Sequence, residues 1–308
     1  MGEEAVRQSI HIALFPTKLR DFQLCLCAYL RHNAKIVHPR STPRLDHSRV
    51  VCPVDRDPHS ERTHRTGKAA MDKSISRQIL RRSQDRGHFE FGWLDTWHTF
   101  SFGDYFDPDW VEFSDLRVIN EDRVLPGRGF GLHGHRDMEI LTWVLEGAIE
   151  HRDSLGNGEI LRPGEIQRMT AGSGIRHSEV NPSETDPLHL LQIWIQPGQK
   201  SSRPSYEQKR VEPALLSNQF GLVAGPAGSG ATVTIGQDAK LLVGRFLSGA
   251  SAAHTWEEGR SAWIHVARGA IEVDGLRLQA GDALGMVDPG AVVVQSIEAS
   301  EVLAFDLR

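Results

Sequence analysis

With 308 residues, 39% of them apolar and 7% aromatic, the chain is long enough for two modest domains, each with its own core. A net charge of −5 offers no basic face for direct nucleic-acid contact, and no stretch approaches the ~20 uninterrupted apolar residues of a membrane span. The three cysteines (Cys25, Cys27 and Cys52) all precede Met71, so no disulfide framework holds the body together and a reducing cytoplasm is the expected compartment.

Residues 1–70 differ from the rest. They hold 12 Lys+Arg against 7 Asp+Glu, whereas residues 71–308 hold 23 against 33. Residues 38–68 are dense in Arg, His, Pro, Ser and Thr without any apolar period, a composition that does not pay for a packed core. The apolar residues between 10 and 30 are interrupted by Lys18, Arg20 and Asp21, which makes a poor secretory signal. We expect residues 1–70 to be a disordered or overextended N-terminal extension, with the folded body beginning after Met71. A targeting or interaction segment is the competing reading.

Residues 74–115 open with a short basic strand or helix at 77–82. An aromatic group follows (Trp93, Trp97, Phe100, Phe102, Tyr105, Phe106 and Trp110), expected to pack in the core. His98, inside this group, could line the pocket, but a hydrogen-bonded core histidine is the favoured expectation and we do not expect it as a ligand.

From Leu116 to Pro197 the pattern is that of short strands, with β-branched and apolar residues alternating with polar ones between Gly/Pro turns. Two segments carry chemistry: GRGFGLHGHRDMEILTWVLEG (127–147) and RPGEIQRMTAGSGIRHSE (162–179). Residues i and i+2 of a strand project from one face. His133 and His135 therefore point together, as do His177 and Glu179. Three imidazoles and a carboxylate suit Fe, Mn, Co, Ni, Cu or Zn and leave positions open for chemistry. One His-x-His pair is a weak signal; the second pair, behind its own Pro-Gly turn, strengthens it. Glu139 shares the parity of His133 and His135 and would face inward on an unbroken strand; we expect it outside the coordination shell or at the surface. Residues 153–158 (DSLGNG) predict a tight hairpin, and LHLLQIWIQP (188–197) a further strand.

A polar segment, GQKSSRPSYE (198–207), reads as a linker and sets the expected boundary between 71–199 and 200–308. Beyond it the first half is faintly repeated. TWVLEGAIE (142–150) aligns with IHVARGAIE (264–272), and RPGEIQRM (162–169) with QAGDALGM (279–286). That register sets Thr255 and Glu257 opposite His133 and His135, and Val294 and Ser296 opposite His177 and Glu179. The second half should thus be a duplicated domain without metal ligands. GPAGSGAT (225–232) has P-loop spacing, but Ala231 stands where the phosphate-binding lysine is needed, so it reads as a turn. There is no G-x-S-x-G elbow for a serine nucleophile.

Several of these segments resemble a known family. Gly127, His133-x-His135 and Glu139 resemble the first cupin motif. Pro163-Gly164-Glu165, the run Met169 to Gly172, and Gly174-Ile175-Arg176-His177-Ser178-Glu179 resemble the pirin version of the second. GWLDTWHTFSFGDYFDP (92–108) is similar to the N-terminal signature of bacterial pirins with quercetin dioxygenase activity. The resemblance implies an all-β bicupin of two jelly-roll barrels with a few short helices. It further implies one divalent transition metal, Fe(II) by preference and Mn, Ni, Cu, Co or Zn as substitutes, on His133, His135, His177 and Glu179. The implied reaction cleaves a flavonol such as quercetin at the 2,3 bond with O2 and releases carbon monoxide, Glu179 acting as general base. Two other functions stay open: an iron-dependent, redox-sensing regulator acting through a protein partner, as eukaryotic pirins are thought to be, and a small-molecule binder with a structural metal. The closed barrels and polar linker are compatible with a monomer.

Overall fold

The alternating pattern becomes strands almost throughout the computed structural model, which describes residues 78–308; the N-terminal extension expected over 1–70, with its cysteines and Met71, lies outside the described residues. The first half contains β1 (Gln78–Arg81), β2 (Gly87–Glu90), β3 (Leu94–His98), β4 (Leu116–Val124), β5 (Gly129–His135) and β6 (Glu139–Glu146). It continues through β7 (Ile149–Asp153), β8 (Gly158–Leu161), β9 (Glu165–Thr170), β10 (Ile175–Val180) and β11 (Leu188–Ile195). Next come β12 (Ser205–Arg210), a single helical turn α1 (Pro213–Leu216), β13 (Phe220–Gly225), β14 (Val233–Thr234), β15 (Lys240–Phe246), β16 (Ser251–Thr255) and β17 (Ser261–Arg268). The remaining strands are β18 (Ala270–Val273), β19 (Leu276–Gln279), β20 (Ala283–Val287), β21 (Ala291–Ser296) and β22 (Ser300–Leu307). Outside α1, the only other helical piece among the described residues is a 3-10 turn at Ser83–Asp85.

Each half pairs a seven-stranded sheet with a four-stranded one. In the first barrel the orders are β12-β9-β6-β11-β4-β3-β2 and β5-β10-β7-β8; in the second they are β1-β20-β17-β22-β15-β13-β14 and β16-β21-β18-β19. Strand for strand the two lists correspond, so β6, β9 and β10 match β17, β20 and β21 as the internal repeat predicts. The architecture is a bicupin.

The outermost strands cross between halves. β1, from before the first barrel, lies against β20 of the second, Gln78 opposite Met286. β12, from beyond the expected boundary at 199/200, lies against β9 of the first, Tyr206 opposite Met169. Part of the predicted linker is therefore strand, and each barrel lends the other an edge.

Parity along β11 shows how the layers are filled. Leu188 and Leu190 turn into the first barrel, with Leu94, Val144, Ile149 and Leu161. Leu191, Ile193 and Ile195 turn the other way, into a core shared with Trp263, Leu303 and Phe305 of the second barrel. Trp143 and Trp263 are both fully buried in this shared layer, where a large apolar side chain contributes about 1.5–3 kcal/mol. Trp143 also donates its indole N–H to Glu301 Oε1 at 2.6 Å. The barrels are fused by a core rather than tethered by a linker.

The aromatic group behind β3 divides in two. Phe100 enters the shared core beside Trp263, ring centroids 5.0 Å apart, but Phe106, expected in the core, is 69% exposed. Aromatic content alone does not say which ring faces outward. The segment with P-loop spacing is a turn, Ser229 N–H donating to Pro226 O at 3.1 Å.

Candidate metal centre

β5 and β10 run antiparallel with His133 directly opposite His177. The register slips by one residue immediately afterwards, setting Glu179 opposite Phe130. Such a bulge re-aims the side chains that follow it. The two strands close on each other at Gly129, where a Cβ would run into the Glu179 carbonyl and the Val180 Cα. His133 and His135 do share a face, and with His177 they form a cluster of rings. Centroids lie 4.7 Å apart for His133 and His135, 4.4 Å for His133 and His177, and 4.8 Å for His135 and His177. One ligand atom from each of the three lies within 4.8 Å of the others.

The protonation of these rings is that of ligands. His133 Nδ1–H donates to the Gly131 carbonyl at 2.7 Å, which leaves the Nε2 lone pair free. His177 Nε2 is buried without a partner. Burial, reinforced by the neighbouring imidazoles, lowers the pKa of His135 to about 3 and that of His177 well below the ordinary value. Neutral imidazoles crowded this closely, with a buried nitrogen lacking a partner, fit a cation between them.

Glu179 is 2% exposed and joins His177 in a second, overlapping group of ligand atoms completed by His151. Its Oε2 accepts from Gln192 Nε2 at 2.9 Å, while Gln192 Oε1 is held by the Thr142 hydroxyl at 2.8 Å. Oε1 has no partner. Burial, with Asp122 adding to it, raises the carboxyl to about 7 despite the Gln192 hydrogen bond. In the metal-free protein it stands near the point where it can take or give a proton at neutral pH.

Beside the cluster is a cavity of about 40 Å³, partly open to solvent and lined by His133, His135 and Glu179 together with Phe102, Phe130 and Trp194. His98, Asn120 and Asp122 also line it, each with a buried polar atom (Nδ1, Oδ1 and Oδ1) that has no partner. So His98 is buried as expected, yet it faces the cavity with one nitrogen unpaired rather than sitting fully bonded in the core. Burial lowers its pKa to about 3 and raises that of Asp122 to about 7. The enclosed volume holds a few waters.

Glu139 lies elsewhere. The chain breaks between β5 and β6, Asp137 taking a φ of 50°, so the parity that pointed Glu139 inward does not carry through. It is 1% exposed, accepts from the Thr170 hydroxyl at 2.7 Å, and is further held by the Gly236 N–H of the second half. It is a buried tie between the barrels, neither metal-facing nor at the surface.

His151 was not recognised in the sequence. It is fully buried, and its Nδ1 lies 3.3 Å from His177 Nδ1. A signal did exist: His151 and Asp153 stand two apart on β7, the same-face spacing of the two recognised pairs. A further group, His88, Glu90 and Asp95, lies on the partly exposed β2–β3 hairpin, where His88 Nε2 and Asp95 Oδ1 pair at 2.8 Å.

Two cupin barrels, the first holding a cluster of histidines and a carboxylate, define the class: a bicupin with a metal-type centre in one barrel. Residues 80–195 match the family model described as Pirin, and residues 222–307 match the quercetinase C-terminal cupin domain. The chain is 46% identical over 228 residues to quercetin 2,3-dioxygenase of Escherichia coli K12, covering 74% of this chain and 97% of that protein. Among solved structures it is similar to the E. coli bacterial pirin YhhW in complex with nickel(II), with a TM-score of 0.71 and 45% identity, covering 75% of this chain and 99% of that one. Quercetin 2,3-dioxygenase from Acinetobacter baumannii shares the fold, with a TM-score of 0.63 at 19% identity over 76% of this chain and 88% of that one. The chain belongs to the pirin family of the cupin superfamily. No helix among the described residues is long and apolar enough to cross a membrane.

Proposed function

We propose that the chain is a metal-dependent dioxygenase that cleaves a flavonol such as quercetin at the 2,3 bond, with His133, His135, His177 and Glu179 holding one divalent metal, Fe(II) by preference. The observation that supports the reading is a pair of overlapping groups of ligand atoms, His133, His135 and His177 in one and His151, His177 and Glu179 in the other, sharing His177 beside a cavity lined by His133, His135 and Glu179. A metal bound there would supply a Lewis acid and a one-electron partner for dioxygen. The protein's own part is to bind, orient and deprotonate. Glu179, its Oε2 held by Gln192, would be the general base for the flavonol 3-hydroxyl, since a carboxylate at a metal site can both coordinate and accept a proton. The unpaired atoms of His98, Asn120 and Asp122 would receive the hydroxyl groups of the substrate. Both atoms of O2 enter the depside product, and one substrate carbon leaves as carbon monoxide. The naming of the E. coli relative as quercetin 2,3-dioxygenase supports the choice of substrate.

The small cavity favours a second reading. With enclosed room for only a few waters, the centre would also suit an iron-dependent regulator that acts through a protein partner. The readings separate in one experiment. Protein loaded anaerobically with Fe(II) is mixed with quercetin, and O2 uptake, carbon monoxide and bound metal are measured together. The dioxygenase reading expects equal amounts of O2 consumed and carbon monoxide released, with both abolished in Glu179→Ala. Full metal occupancy without carbon monoxide contradicts quercetin as the substrate and leaves a different substrate or the regulator.

A further inference from the structure

The buried pair His151 and Asp153 is not accounted for by the metal ligands or the cavity wall. Both side chains are fully buried, and His151 Nε2 lies 3.3 Å from Asp153 Oδ2. Asp153 is fixed by the hairpin it begins. Its Oδ1 accepts the backbone N–H groups of Leu155 at 2.8 Å and Asn157 at 3.1 Å, and its Oδ2 accepts from Asn157 Nδ2 at 2.8 Å. The His151 ring is stacked on Tyr206 of β12, centroids 4.7 Å apart with 26° between planes. Its orientation is therefore set from both sides.

Proton placement then follows from the hairpin inward. A carboxylate that already takes three N–H donors acts as an acceptor, so the proton between it and His151 belongs to His151 Nε2. A neutral, buried His151 with its proton on Nε2 has only a lone pair at Nδ1. The nearest group to that lone pair, at 3.3 Å, is His177 Nδ1, and the geometry assigns it as the donor. Gln167 Nε2, at 3.4 Å, is the more distant donor to the same atom. His177, protonated on Nδ1, then carries its lone pair on Nε2, the buried nitrogen that has no partner in the protein.

We propose that His151 and Asp153 are positioning residues that lock His177 in its metal-ligating tautomer, through a relay from the 153–158 hairpin by way of His151 to His177. This rests on the reading of His177 as a ligand. Partners of this kind orient a ligand ring and raise its basicity, and losing one weakens metal binding about ten- to a hundred-fold. The overlapping group of His151, His177 and Glu179 raises the rival possibility that His151 is itself a ligand.

Two measurements test the relay. The first is nitrogen NMR of the full chain with 15N-labelled histidine, metal-free and then loaded with Zn(II). We expect His151 protonated on Nε2 and His177 on Nδ1 in both states, with Zn(II) shifting His177 Nε2. A proton on His151 Nδ1 in the metal-free protein overturns the relay whatever the metal does. The second is Zn(II) affinity of His151→Phe, which keeps the ring stacked on Tyr206 and removes both nitrogens. The expected result is one equivalent of Zn(II) bound about ten- to a hundred-fold more weakly. Unchanged affinity, or loss as complete as in His177→Ala, overturns the positioning role. Full Zn(II) binding by His177→Ala sinks the ligand assignment instead, and the metal-free tautomers still report on the relay by themselves.

Discussion

The two barrels use the same strand order and fill it in opposite ways. On β10 the first barrel carries His177 and Glu179; on the matching β21 the second carries Val294 and Ser296. Val294 packs with Ile264, Ile271, Val273, Leu284 and Met286 in an apolar interior, and the Ser296 hydroxyl is satisfied by Glu298 O and Ser300 Oγ. In the first barrel, buried polar atoms lack partners at His98, Asn120, Asp122, His177 and Glu179, four of them lining one cavity; in the second, the fully buried His265 on β17 also lacks partners, at both ring nitrogens. Unpaired buried polar atoms are costly and collect where function needs them. At β21 the fold fills the second barrel's matching positions with an apolar core and a satisfied hydroxyl. The first barrel shows what it gives up to hold a reactive centre.

The comparison is sharpened first by cutting what joins the barrels. Trp263→Ala removes a fully buried indole from the shared core and should cost about 3–5 kcal/mol. Because that core belongs to both halves, urea unfolding should shift to lower denaturant as a single transition. Two separate transitions would show that the barrels fold independently.

Exchanging residues across the repeat comes next. Val294→His puts an imidazole without partners into the apolar interior of the second barrel and should destabilise by about 2–4 kcal/mol, with no gain in metal binding. A stable variant binding a second metal would break the contrast.

Glu207 links the halves electrostatically and gives a pH test. It bonds Arg168 of the first barrel at 3.1 Å, Lys209 at 2.6 Å and the Thr234 N–H of the second half at 3.0 Å. Partial burial raises its pKa, but the hydrogen bonds from Lys209, Thr234 and Arg168 outweigh that and bring it to about 2. A carboxylate depressed on folding stabilises fully above its unfolded pKa of about 4.3 and loses that contribution as pH falls toward the folded value. Wild type should exceed Glu207→Gln in stability by about 1–2 kcal/mol at pH 7. The gap should narrow steadily as pH is lowered through the range from about 4.3 to about 2. A gap that does not change with pH would refute the assignment.

The smallest effect is the reverse exchange, His177→Val. Replacing a buried, half-satisfied imidazole with the residue type the second barrel uses should stabilise the metal-free protein by about 1 kcal/mol, read as a higher thermal midpoint. A lower midpoint would mean that the polar cluster supports the fold.

Much of this was legible in the sequence because strands have a strict period of two. That period placed His133 with His135, and the Gly and Pro turns delimited the strands around them. The repeat of TWVLEGAIE as IHVARGAIE revealed the second barrel and set Val294 and Ser296 opposite His177 and Glu179. What escaped depends on relations the period does not carry. Asp137 breaks the strand before Glu139, so parity failed there. The exchange of β1 and β12 is a matter of long-range pairing, which local pattern does not encode. His151 lies on a third strand, and only the β10–β7 register, Glu179 opposite His151, brings it to the cluster.

The central claim is that one barrel holds a metal and the other does not. Its most direct test is a Zn(II) titration of the metal-free full chain, followed by X-ray absorption at the zinc edge on wild type and His177→Val. The account predicts one equivalent per chain, a first shell of imidazole nitrogen and carboxylate oxygen, and loss of binding in His177→Val. Two equivalents in wild type, or one retained in His177→Val, would contradict it.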